Sequence, residues 1–109
     1  MSKEIVLRFS PEMKRAAMEG RKIATTRSEQ KGSPGDTFTL DGVRFRILEV
    51  HRIYLADVRN LLYALEGFRS PQDFEDTWRS LHRGHFPASN LYHIHFFARI
   101  PEGEEHYGS

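Results

Sequence analysis

The chain has 109 residues, enough for one compact domain and too few for two cores. It contains no cysteine, which excludes disulfides and thiolate metal sites and points to a reducing, cytoplasmic compartment. The formal charge is only +1, which argues against a protein that wraps nucleic acid over a long basic face.

The charge is unevenly spread. Glu102, Glu104 and Glu105 fall in the last nine positions, read as a flexible tail over 101–109, and without them the body over 1–100 carries about +4. Arginine outnumbers lysine twelve to four, a bias suited to planar recognition of phosphate or carboxylate, although surface solubility explains it as simply. No apolar run is long enough for a signal peptide or a membrane span.

In chain order, Ile5, Leu7 and Phe9 alternate and predict a first strand. Ser10-Pro11-Glu12 starts a helix that ends at Gly20, with Met13, Ala16 and Ala17 as its buried stripe. The segment around Thr25 is an undecided strand. Residues 30–36 form a loop rich in Gly, Ser and Pro. Thr37–Leu40 and the run from Val43 flank Asp41-Gly42, a strong hairpin signal. That second run changes parity after Ile47, where Leu48 and Val50 take over the apolar face, so a bulge or bend is expected and with it a curled sheet. Asp57 caps a short helix through Val58, Leu61, Leu62 and Leu65. Ser70-Pro71 opens another, carrying Phe74, Trp78 and Leu81 and ending at Gly84. The final strand, from Leu91 to Ile100, sends Tyr92, Ile94, Phe96, Ala98 and Ile100 to one face. The class is α+β, a mixed, curled sheet with helices.

Gly20-Arg21-Lys22-Ile23-Ala24-Thr25-Thr26-Arg27 concentrates the chemistry. It places two guanidinium groups, a titratable amine and adjacent hydroxyls just after a helix. An ordinary lysine is free base in about one molecule in 2500 at pH 7; service as a general base needs its pKa brought near neutrality, about 4 kcal/mol of differential stabilisation. A plain phosphate or carboxylate contact is the simpler reading of Lys22, and Thr25 and Thr26 are also ordinary strand residues. Lys22 and Thr25 would face opposite sides of a regular strand, so their cooperation requires irregular backbone. Glu66 stands where the second helix runs out, an unfavourable place for a carboxylate by up to about 1 kcal/mol, which hints at a task. His93 and His95 share a strand face, but no third ligand is identifiable and no metal is expected. Phe74 and Trp78 read as core; Tyr54 and Phe68 are better stacking candidates.

These residues resemble the ASCH family, small relatives of the PUA RNA-binding domain. The resemblance rests on Gly20-Arg21-Lys22 with Thr25 and Arg27, on the following Gly35-Asp36, and on Glu66-Gly67-Phe68 with Phe74 and Trp78. It spans roughly residues 5–100 and implies a PUA-like curled sheet or β-barrel flanked by short helices, with a cleft where the signature segment meets the helical insert. Some members of that family resemble amidohydrolases that deacetylate N4-acetylcytidine without metal or other cofactor. The resemblance then implies Lys22, Thr25 and Glu66 as the catalytic set, with Gly20, Arg21, Thr26 and Arg27 binding RNA or a modified nucleoside. Other members look like RNA-binding modules or ribonucleases, for which Arg21, Lys22 and Arg27, with Arg44, Arg46 and Arg52, would hold phosphates. A monomer or weak homodimer is expected.

Overall fold

A computed structural model describes residues 2–102. Three helices, α1 (Pro11–Met18), α2 (Leu55–Leu61) and α3 (Pro71–Leu81), accompany four strands: β1 (Ala24–Arg27), β2 (Thr37–Leu40), β3 (Val43–Tyr54) and β4 (Leu91–Arg99). The sheet order is β1-β4-β3-β2 and every neighbouring pair is antiparallel. Among the described residues, mixing is confined to one parallel bridge between Glu4 and Thr37. The result is an α+β fold with a curled half-barrel sheet.

The first expected strand does not form. Leu7 is buried and Val6 is 79% exposed, so the alternation is real. Beyond hydrogen bonds from Ile5 N to Thr37 O (2.7 Å) and from Thr37 N to Lys3 O (2.9 Å), however, the segment pairs with no strand among the described residues. Alternation records which side is buried and says nothing about whether a ladder partner lies alongside. The undecided segment around Thr25 is instead the edge strand β1.

The Asp41-Gly42 turn joins β2 to β3, with both residues at positive φ (49° and 83°), as a two-residue hairpin turn demands. The register of β3 against β4 slips between Ile47 and Glu49, leaving Leu48 as the extra, 49% exposed residue of a bulge. This is the parity change visible in the sequence, and it bends the sheet.

The core has two parts. Leu7, Ala17, Phe38, Leu40, Phe45, Ile47 and Phe97 fill one end of the sheet; Leu55, Val58, Phe74 and Trp78 fill the other. β4 departs from the expected face. Phe97 enters the first core, Ala98 is exposed, and the successive residues Ile94 and His95 are both buried, because the curled sheet is covered on both sides there. α2 begins at Leu55 directly from β3, and Tyr54 precedes it without a side-chain cap; Asp57 lies inside the first turn instead of capping it. α3 follows its signals closely, with Ser70 Oγ accepting from Asp73 N at 3.0 Å. The expected tail lies, from residue 103 onward, outside the described residues.

Candidate active site

The end of α1 sets the first half of the site. Gly20 takes φ +78°, and the amides of Arg21 and Lys22 both fold back onto Ala16 O (2.8 and 3.1 Å). The chain then enters β1 with the Lys22 side chain pointing inward. The second half is the turn after α2. Ile23 N and Ala24 N both donate to Leu65 O (2.8 and 3.1 Å), which clamps that turn against the start of β1. Gly67 makes the approach possible. A Cβ there would stand 3.1 Å from Lys22 Cβ and 3.3 Å from Ala16 Cβ, and its φ of +93° already disfavours side chains.

Lys22 and Glu66 meet in this junction, 4% and 3% exposed. The ammonium donates to Glu66 Oε1 and to Glu66 O, each at 3.0 Å. The hydroxyl on the carboxylate is that of Thr26, which donates to Oε2 at 2.6 Å. Thr25 lies on the opposite side of β1, where its Oγ1 accepts from Arg27 Nε at 3.1 Å. The reason is parity. Residues 22, 24 and 26 share one side of an extended segment, and 25 and 27 share the other. The sequence reading thus named the amine and the acid that pair, and Thr26 is the hydroxyl that joins them.

Burial drives the Lys22 amine below the ordinary lysine range, against the raising pull of Glu66 and with a further push from Arg27. The Arg27 guanidinium is likewise lowered by burial, partly offset by Glu66. The Phe9 ring lies near both cations, 5.6 Å from Lys22 Nζ and 5.4 Å from the Arg27 guanidinium carbon.

His95, fully buried, braces the floor. Its Nδ1 donates to Thr25 O (3.2 Å) and its Nε2 accepts from Lys31 N (2.9 Å), so the ring is neutral and both nitrogens are occupied. Burial lowers its pKa. Among the described residues no cluster of three or more His, Asp or Glu side chains is arranged to hold a metal ion.

A cavity of about 650 Å³ opens over this junction. Lys22, Thr25, Thr26, Arg27 and Glu66 form its polar end. Phe68, Phe74, Trp78, Leu81 and Tyr92 form an apolar end. Phe74 and Trp78 thus belong to the core and to the cavity wall at once. Gly20 and Arg21 do not line it; Arg21 pairs with Glu19 (2.6 Å) beside a neighbouring cleft. Tyr54, Arg44, Arg46 and Arg52 also lie elsewhere. Sequence reasoning missed Arg8, Phe9 and Lys31. The outward position of Arg8 between inward Leu7 and Phe9 was the available signal.

No protein-family model and no curated protein matches the sequence. Solved structures do match. The chain superposes on an ASCH domain from Lactobacillus crispatus JV V101 with TM-score 0.60 and 16% identity, covering 90% of this chain and 79% of that one. A mutant ASCH protein from Zymomonas mobilis gives 0.60 and 14%, over 93% and 77%. Protein EF3133 from Enterococcus faecalis V583 gives 0.57 and 20%, over 96% and 81%. A small α+β domain with a curled antiparallel sheet is the class these likenesses define. The fold of this chain is that of ASCH domains.

Proposed function

We propose that the cavity is the active site of a hydrolase that removes an acyl group from the exocyclic amine of a modified nucleoside, of the N4-acetylcytidine type. The buried Lys22–Glu66 pair beside two threonine hydroxyls is the observation that carries this reading. In a dry site the ion pair and its neutral form differ by one proton moved along a 3.0 Å hydrogen bond, with no change in net charge. That single transfer creates a free amine and a carboxylic acid together, which are the base and the acid that amide cleavage requires.

Thr25 is the nucleophile in this scheme. Its Oγ1 already accepts from Arg27, so positive charge lies beside the oxygen, and its own O–H is not engaged among the described residues; the Thr26 O–H is spent on Glu66. Lys22 turns from Glu66 to take the Thr25 proton as Oγ1 bonds to the acyl carbon. The tetrahedral intermediate collapses with its C–N bond breaking, and Glu66 delivers its proton to the departing amine. The ion pair is thereby restored. Water then attacks the threonine ester by the same route, with Lys22 accepting the water proton and Glu66 returning one to Thr25. Arg27 stabilises the oxyanion in both halves.

The test is release of cytidine from N4-acetylcytidine, followed chromatographically. Lys22→Met, Thr25→Val and Glu66→Gln are each expected to lower kcat by about 10²-fold or more. Trapping the acyl-enzyme and mapping the adduct by mass spectrometry should place it on Thr25; an adduct on Thr26 would transfer the nucleophile's role to that residue. Full activity in Lys22→Met refutes the mechanism.

A further inference from the structure

We infer that the mouth of the cavity is a phosphate subsite formed by Arg8 and Lys31, so that the preferred substrate is a nucleotide and not a neutral nucleoside. The inference rests on the nucleoside reading above and adds to it the charge of the substrate. Four cations line the cavity, Arg8, Lys22, Arg27 and Lys31, against a single acid, Glu66. Glu66 is taken up by Lys22, and the remaining three cations have no acid among the residues lining the cavity.

Their placement suits an anion. Arg27 is held by two of its nitrogens, Nε on Thr25 Oγ1 (3.1 Å) and Nη2 on Arg8 O (2.8 Å). Its Nη1 has no partner among the described residues. The fork is thereby fixed beside Thr25, on the reacting side of the cavity, which leaves Arg8 and Lys31 to take the phosphate. The Arg8 side chain is exposed and engages no hydrogen bond or ion pair among the described residues. Lys31 is fixed at its backbone by His95, while its ammonium stands in solvent with only a loose pairing to the exposed Glu29 at 3.8 Å.

Guanidinium forks match phosphate oxygens in geometry, and a cleft with apolar walls focuses the field of unpaired cations onto its contents. The volume suits one nucleotide, since sites for small molecules span roughly 300–1,000 Å³. That phosphate has two sources, a free mononucleotide or the terminal nucleotide of an RNA strand. The subsite chemistry is the same for both.

The experiment compares kcat/KM for N4-acetylcytidine, its 5′-monophosphate and a short RNA ending in N4-acetylcytidine, at low and high salt, with binding of cytidine 5′-monophosphate measured in parallel by calorimetry. The monophosphate or the RNA should exceed the nucleoside by about tenfold or more at low salt. Raising the salt should narrow the ratio. The exposed double substitution Arg8→Gln/Lys31→Gln should bring the ratio close to one, whereas Arg99→Gln, on a strand end away from the cavity, should leave it as in the wild type. A larger advantage for the RNA assigns the phosphate to a polymer; a larger advantage for the monophosphate assigns it to a free nucleotide. Hydrolysis of all three at equal rates overturns the subsite and leaves the hydrolase standing. Conversely, monophosphate binding that depends on Arg8 and Lys31, without hydrolysis of any substrate, retains the subsite and removes the hydrolase.

Discussion

Replacing Lys22 by methionine and Glu66 by glutamine, singly and together, tests the centre of the structural argument. Both groups are almost fully buried and joined at 3.0 Å, so removing one leaves the other charged, desolvated and unpaired. Breaking a buried pair in this way costs about 3–5 kcal/mol. Removing both leaves no orphaned charge, and replacement of a buried ion pair by packed neutral groups is often close to neutral. The double variant should therefore be far more stable than the sum of the single losses implies, with a coupling energy of about 3 kcal/mol, the upper end for residues in contact. Against a total stability of about 5–15 kcal/mol, each single loss is large enough to read by urea unfolding. The pH dependence supplies a second signature. The Lys22 pKa is lower in the folded chain than in the unfolded one, so between those two values the unfolded chain holds more protons. Native stability must rise with pH across that window, and Lys22→Met should remove that part of the slope. Single losses that simply add, to within about 0.5 kcal/mol, would show that the two groups do not meet and would undo the site.

Two other perturbations probe the parts that hold the pair in place. Gly67→Ala puts a methyl group against Lys22 and Ala16 at a φ of +93° and should cost about 1–3 kcal/mol, seen as a lower unfolding midpoint together with reduced turnover of the acylated nucleoside. His95→Leu strands the buried Thr25 O and the part-buried Lys31 N–H, for a loss of about 1–3 kcal/mol. In the wild type, the lowered His95 pKa makes its contribution full above the unfolded value near 6.5 and lost progressively as pH falls from there towards the folded value. Unfolding midpoints measured from pH 7 to pH 4 should show that decline, and His95→Leu should lack it.

Much of this molecule is written in local signals. Ser10-Pro11 and Ser70-Pro71 start helices because a capping hydroxyl and a fixed φ act within one turn. Asp41-Gly42 turns a hairpin for an equally local reason, and the slip at Leu48 announces itself as a change of parity. Ile5 to Phe9 misleads because burial comes from the core while a ladder needs a neighbour, and no local pattern supplies one. β4 was half legible for the same reason: its inward face depends on what covers the far side of the sheet. In the site, Lys22 and Glu66 stand 44 positions apart in the chain. Their union depends on Leu65 O gripping the start of β1 and on Gly67 admitting the turn, contacts that no spacing rule contains.

The position of the site at the sheet edge follows from the demands placed on it. β1 is an outer strand of the order β1-β4-β3-β2. In an inner strand, successive residues face compartments separated by the sheet itself, and Thr25 and Thr26 could not line one cavity. At an edge the cavity wraps around the strand and receives side chains of both parities. Hence Thr26 anchors the carboxylate from one side, while Thr25 and Arg27 present a hydroxyl and a cation from the other. The regular geometry that seemed to forbid Lys22 and Thr25 from sharing a ligand is then no obstacle. Lys22 and Thr25 line one cavity from the two faces of one strand.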